Sequence, residues 1–570
     1  MSEPTDADVS PLRIGVILVH GVGEQTRFEY LDEYGRDIIR AIGYQPGVEV
    51  TVDIDTAGAA AFHAEQDSWT NGPCGAVQAF VRQNGRITHC LHFHEVWWAD
   101  VNERYSLAKQ LRFWLWGLAI WAYPRGNPKH ELHGTNDVTS PFVPNGNGVW
   151  HRRWQIGRLF MVGVVFLLGG ATVGIGMLLV QRLLNLRTPD LLKTVTNYVS
   201  GVKLFNQRSR YGPGFAMHPP NDDFLDTLDE PPRVSVRRRM IRAIATVAAA
   251  DYDRWYVIAH SQGTVAAFNG LMETPYAWPG YFDALTWAQL RGKFGGPGQA
   301  GPTNLPTMPR RPVWATPDEI AYRTRIFQRF RGFLTLGSPL EKFAAIWPAR
   351  VPISQMRAFR KNTVWINVFD PLDPISGVLK AYQGHGDDVC PPPANIGYPS
   401  SPFLLIAHLR YLTWTGPGCL ADGVAKWLLT DDSHHVTALP RCFSPDHAQS
   451  RRRTVGAWLW WFAAFALLAL LGGWIVGATA SRLLGAPPCV CAPPANLCSW
   501  IADAWSWLCP HRLIRYAAWL IVVAFIGPIV VGGVSRWLLF RASEDPKDPP
   551  TTGGPLPDPD PRAPLLSPWS

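Results

Sequence analysis

Apolar positions fall along the chain in two patterns. The first is a set of short, unbroken apolar runs bounded by turn residues: RIGVILVHGVG (Arg13–Gly23), WYVIA within Asp253–Ala259, RGFLTLGSPL (Arg331–Leu340) and NTVWINVF (Asn362–Phe369). Runs of this length with no polar alternation predict strands buried on both faces, as in a parallel sheet. Around them, VSVRRRMIRAIATVAAA (Val234–Ala250) and the stretch Thr264–Met272 read as helices. Strands interleaved with helices predict an α/β fold, a mostly parallel sheet with helices on both faces.

The second pattern is a set of long runs without charge, Leu159–Val180, Val455–Ala480 and Tyr516–Val534. These approach or exceed what crosses about 30 Å of hydrocarbon and predict transmembrane helices, with buried core helices as the alternative. A shorter run, Leu111–Tyr123, crosses as a short helix, re-enters or lies in the interface. If residues near 20 and near 261 share one sheet, the chain between them crosses the membrane an even number of times. Leu111–Tyr123 then either pairs with Leu159–Val180 as a hairpin, or the latter bends back at Gly169-Gly170.

The later two runs read as a hairpin with Arg451–Arg453 before it and Arg536, Arg541 and Lys547 after it, on a cytosolic side. Its loop carries Cys489, Cys491, Cys498 and Cys509, which fit disulfides on an oxidising far side, a zinc site or free thiols. The opening MSEPTDADVSPLR has neither the basic start nor the apolar core of an export signal, so the first domain is expected in the cytosol. The expected organisation is a disordered start (1–11) and an α/β domain (12–450) with a membrane-associated insertion at about 108–182. A C-terminal transmembrane hairpin (451–541) and a disordered Pro-rich tail (542–570) follow.

Composition adds two points. The 26 Trp exceed the needs of a soluble domain, and many end apolar runs, where amphipathic rings suit a membrane interface. The net charge of +8 is concentrated partly in arginines flanking apolar runs, with no reader motif, which argues against nucleic acid. GGPGQAG (Gly295–Gly301) lacks the Lys-Ser/Thr and preceding strand of a phosphate loop and reads as a plain loop.

The candidate chemistry lies in VIAHSQGTVAAF, Val257–Phe268. A nucleophilic serine on a strand-to-helix turn needs small residues two before and two after it. Around Ser261 these are Ala259 and Gly263, so the pattern departs from G-x-S-x-G by one methyl group. Upstream, the strand ending in His20-Gly21 can present backbone N–H groups to a developing oxyanion, with Val22 N–H as one donor and Gln262 N–H as the other. His20 is expected to shape that turn rather than to act as the base.

Downstream, Asp370 and Asp373 stand at the end of a strand. Asp373 is the preferred acid, because Asp370 can cap the turn. His408 is the preferred base, ahead of His385 and of the pair His434-His435. His92 and His94 share a strand face but lack a third placed ligand, so no metal is expected, and no cofactor. Pro275–Arg329 falls where a cap over the site could be inserted.

HGVGEQ, AHSQGT, TLGSPL, W-x-N-x-x-D-x-x-D-P and A-H-x-x-Y together resemble the α/β-hydrolase superfamily, in particular its lipase- and esterase-like bacterial members. The resemblance covers residues 12–26 and 250–415 and leaves out the C-terminal membrane part. It implies that Ser261 attacks an acyl carbon, His408 relays the proton and Asp373 holds the imidazole. The expectation is a membrane-anchored serine hydrolase acting on a lipid or acyl ester at the cytosolic face. The alternative is a catalytically silent module of the same fold that binds a partner. The sequence leaves the oligomeric state undetermined.

Overall fold

The computed structural model describes residues 10–21, 26–54, 77–101, 232–295 apart from 251 and 283, 321–346, 351, 363–402 apart from 374, 381 and 383–391, and 406–459. These form an eight-stranded sheet: β1 (Leu12–Val19), β2 (Val48–Ile54), β3 (Val77–Gln83), β4 (Arg86–Val96), β5 (Arg254–His260), β6 (Phe330–Leu336), β7 (Val364–Phe369) and β8 (Ala394–Gly397). Their spatial order is β2-β3-β4-β1-β5-β6-β7-β8, and only β3 runs against its neighbours. The sheet is therefore mixed but mostly parallel.

The unbroken apolar character of β1 and β5 follows from burial on both faces. Ile17, Val19, Val257 and Ala259 join the core on one side, and Val16, Leu18, Tyr256 and Ile258 join the core on the other. Helices α2 (Pro232–Ala249), α3 (Gly263–Met272) and α4 (Ala284–Phe294) supply the first core. Helices α1 (Arg36–Gly43) and α6 (Leu420–Thr430) supply the second, and α5 (Leu340–Ile346) follows β6. This is the α/β arrangement expected from the hydrophobic pattern.

Part of the tryptophan excess is core rather than interface, since Trp98, Trp255, Trp278, Trp287, Trp365 and Trp427 are fully buried. Trp278 and Trp287 fall in the stretch singled out as a cap, and the described parts of that stretch pack into the domain core. A last helix, α7 (residues 448–459), spans the boundary expected at 450. Among the described residues no helix is long and apolar enough to cross a membrane. The runs 111–123, 159–180 and 516–534, all of 455–480 beyond Leu459, and the four loop cysteines lie outside the described residues. Within them, Cys419 and Cys442 are free thiols.

From β1 the chain leaves towards the β2 edge and later returns to the opposite flank of β1 as β5. The strand order thus reverses between β1 and β5, and a crevice opens beyond the carboxyl ends of strands at such a point. His20-Gly21, Ser261, Gly337-Ser338 and Asp370 are the residues that leave the ends of β1, β5, β6 and β7.

Candidate active site

Ser261 is the hinge between β5 and α3. Its φ is +52°, left-handed backbone that a non-glycine residue adopts at a cost of about 1–3 kcal/mol and only when its surroundings enforce it. Those surroundings are visible. Ser261 N–H donates to Leu336 O at 2.8 Å, and its carbonyl accepts from Thr264 N–H at 3.0 Å and Thr264 Oγ1 at 2.7 Å. Thr264 Oγ1 is in turn bonded to Ser338 Oγ, which ties the turn to the end of β6.

The close approaches fall on two glycines. A Cβ on Gly263 would meet the carbonyl oxygens of His20 and Val19, the second at 2.6 Å. A Cβ on Gly21 would stand 2.7 Å from the Cβ of Ser261. Ala259, the departure from the glycine pattern, is buried in the core that α2 and α3 supply.

Three side chains from separate elements converge on a single line. His408 Nε2 lies 2.8 Å from Ser261 Oγ, and His408 Nδ1 lies 2.8 Å from Asp373 Oδ2. Serine and imidazole are both nearly inaccessible to solvent, and the aspartate is wholly so. The neutral tautomer with Nδ1–H donates to the carboxylate and leaves Nε2 to accept the serine proton. Burial alone would raise the Asp373 pKa. His408, Tyr411 OH and Ile375 N–H more than offset this and hold the carboxyl down to about 2.

Asp373 is held from several sides. Tyr411 OH donates to Asp373 Oδ2 at 2.7 Å, accepts Asp370 N–H at 2.9 Å and lies 3.1 Å from Ser376 Oγ. Buried Lys342 on α5 donates to the carbonyls of Ile375 and Ser376 in the same loop. Beside His408, His260 Nε2–H donates to His408 O at 2.7 Å, and the two rings lie 4.8 Å apart. Burial, reinforced by the neighbouring His408, pushes the His260 pKa down to about 3 and keeps that ring neutral.

On the β1 side, His20 is locked rather than poised. Its Nε2 accepts Trp98 N–H at 2.9 Å, so Nδ1 carries the proton and donates to Gly21 O at 2.7 Å. Trp98 Nε1–H donates to His20 O at 3.1 Å, and its ring stacks on the imidazole at 4.9 Å. Both ring nitrogens of His20 are thus engaged by backbone groups around the end of β1. Gln262 is buried at the start of α3 with φ −66° and ψ −21°. Val22 and His385 lie outside the described residues.

Asp370 lies off this line of contacts. Its Oδ1 accepts Leu372 N–H at 3.0 Å, which caps the turn, and it forms a two-pronged ion pair with Arg453. His434 and His435 sit in a surface turn, His434–Thr437. His94 Nε2 bonds to Tyr252 OH and His92 Nε2 to Cys90 Sγ. Among the described residues no group of three or more His, Cys, Asp and Glu side chains is placed to hold a metal.

His260, Trp98 and Lys342 were not singled out from sequence, Arg453 entered only as part of an arginine flank to an apolar run, and Tyr411 only as a motif letter. His260 adjoins the serine, which is the one local signal among them. No protein-family model matches the chain, and no curated protein or solved structure is significantly similar to it.

Proposed function

We propose that the protein is a serine hydrolase of the α/β-hydrolase superfamily, lipase- or esterase-like, cleaving the ester of a lipid or other acyl compound. The observation that carries this reading is the unbroken line Ser261 Oγ, His408 Nε2, His408 Nδ1, Asp373 Oδ2. A serine held in left-handed backbone at the end of a central strand supports it, since strain of that kind persists where function requires it.

In this mechanism Ser261 Oγ attacks the acyl carbon as its proton passes to His408 Nε2. Gln262 N–H, with Val22 N–H assigned from sequence, stabilises the oxyanion. His408 then gives the proton to the leaving alcohol, and an acyl group remains on Ser261. Water, deprotonated by the same nitrogen, releases the carboxylic acid and restores the serine. Asp373 keeps Nδ1–H oriented and stabilises the imidazolium without taking its proton.

A bilayer is the partner that explains the flanking segments. Helix α7 exposes Val455, Trp458 and Leu459 beside exposed Arg451 and Arg452 and runs directly into the uncharged stretch that ends at Ala480. Apolar and aromatic groups next to arginines suit a membrane interface on the cytosolic side. Adjacent β1 and β5 belong to one sheet, so any crossings within 102–231 are even in number.

The test is fluorophosphonate labelling of the full-length protein in detergent, where Ser261 Oγ displaces fluoride from phosphorus. Wild type is expected to label and to hydrolyse a short-chain ester, and Ser261→Ala to do neither. A folded wild type that does neither would instead be the silent module.

A further inference from the structure

Helix α7 touches the segments that carry Asp373 and His408 at two places, neither of which anchoring requires. The first is electrostatic. Arg453 Nη2 lies 2.6 Å from Asp370 Oδ2 and 2.9 Å from Oδ1, Nε lies 3.1 Å from Oδ1, and Nη2 also donates to Ser401 O at 3.0 Å. Asp370 is wholly buried and begins the loop that carries Asp373. Its Oδ2 accepts Ser400 N–H at 2.9 Å, and Ser400 Oγ lies 3.1 Å from that oxygen and 2.6 Å from Ala407 O. Ala407 immediately precedes His408. The second contact is apolar, a small cluster of Ala457 from α7 with Leu372 and Ala407, the neighbours of the acid and the base.

We propose that Arg453 is a positioning residue. Through Asp370 and Ser400 it fixes the spacing of Asp373 and His408, which makes the membrane-proximal helix α7 a working part of the site. The proposal rests on the hydrolase reading. A guanidinium suits the role because its planar fork grips both carboxylate oxygens and leaves a donor for Ser401 O. Correct spacing matters because a displacement of about 1 Å at a reacting group costs on the order of a hundredfold in rate.

The experiment follows fluorophosphonate labelling of the full-length protein in detergent over time, with the rate constant and the final labelled fraction read separately. A structural role alone lowers the fraction that folds and labels. A positioning role slows each folded molecule. Arg453→Gln is expected to lower the rate constant about ten- to a hundredfold with the labelled fraction maintained. Arg453→Lys is expected to recover part of it, having the charge but not the fork. Ser400→Ala, which cuts the link to Ala407 without stranding a charge, is expected to slow labelling in the same sense. Asp370→Asn/Arg453→Gln should be no slower than the slower single variant, as for residues acting through one another. An unchanged rate constant in Arg453→Gln, whatever its labelled fraction, overturns the proposal. If that variant does not fold, the Arg453→Lys and Ser400→Ala rate constants decide in the same way. A folded wild type that does not label would instead count against the hydrolase reading itself.

Discussion

Gly263, the first residue of α3, lies against the backbone of His20, so close that no side chain fits between the helix and the end of β1. That contact sets the distance between the turn after β1 and the serine after β5. Gly263→Ala must push the two apart. It is expected to lower stability by about 1–3 kcal/mol, the usual penalty for overpacking, and ester turnover at least tenfold. Urea unfolding and turnover measured on the same sample check it, and wild-type values of both would show that the contact is not tight in solution.

The strain at Ser261 has its own signature. Removing the hydroxyl is expected to abolish labelling, but alanine at a φ of +52° keeps the strain whereas glycine adopts that φ without it. Ser261→Gly is therefore expected to be more stable than Ser261→Ala by about 0.5–1 kcal/mol, the relief of strain less the added freedom of the unfolded chain. Thermal unfolding of the two inactive variants measures it, and alanine being the more stable would contradict it.

Asp373 and Asp370 stand three positions apart and should fail differently. Asp373→Asn removes the acceptor of His408 Nδ1–H and of Tyr411 OH, and ester turnover is expected to fall about 10³–10⁴-fold with the fold retained. Asp370→Asn strands Arg453 and is expected to cost about 3–5 kcal/mol of stability, with a much smaller loss of turnover per folded molecule. Turnover normalised to folded protein, together with denaturant midpoints, separates them, and equal losses of turnover would be inconsistent with the assignment.

Acid–base behaviour should show at Glu95, whose carboxylate accepts Phe28 N–H and Leu31 N–H just beyond the turn that follows β1. Burial raises its pKa from 4.5 to about 7 although these donors oppose the shift. The folded state thus binds the proton more tightly than the unfolded state does. The resulting stabilisation is full below about pH 4.5 and is lost as pH rises through about 7. Glu95→Gln, which cannot ionise, is expected to be more stable than wild type above pH 7, with the advantage shrinking towards pH 4.5. Midpoints of unfolding across that range check the sign, and a gap that widens on acidification would refute it.

Those parts of the fold and site whose cause is local were legible in the sequence. β1, β5, β6 and β7 are continuous apolar runs because both of their faces are buried, and the Ser261 turn shows itself by small residues at fixed offsets. Asp373 was preferred to Asp370 because Asp370 could cap the turn, but both carboxylates accept the N–H two residues on, and what separates them is that Asp373 Oδ2 meets His408 while Asp370 meets Arg453. What was not legible depends on partners distant in sequence. Trp98 meets His20 from 78 positions away and Arg453 meets Asp370 from 83, and neither pair leaves a periodic trace. Trp98 illustrates the difficulty, because a tryptophan near an apolar run reads as an interface anchor until its partner is known. β2 and β3 were equally obscure, since the outer strand β2 is largely exposed and lacks the apolar run that marks a buried strand.

The register of β1 bears on how the protein is made. β1 settles between β4 and β5, and Arg13 N–H bonds to Asp253, 240 positions later. At synthesis rates of about 5–20 residues per second, roughly 10–50 s pass before that flank of β1 has a partner. Throughout that interval one apolar edge stands open to pairing with other nascent chains. The serine turn is thus assembled only after a long wait, and conditions that slow association between unfinished chains, such as weak induction at low temperature, should raise the yield of folded protein more than any mutation that strengthens the finished core.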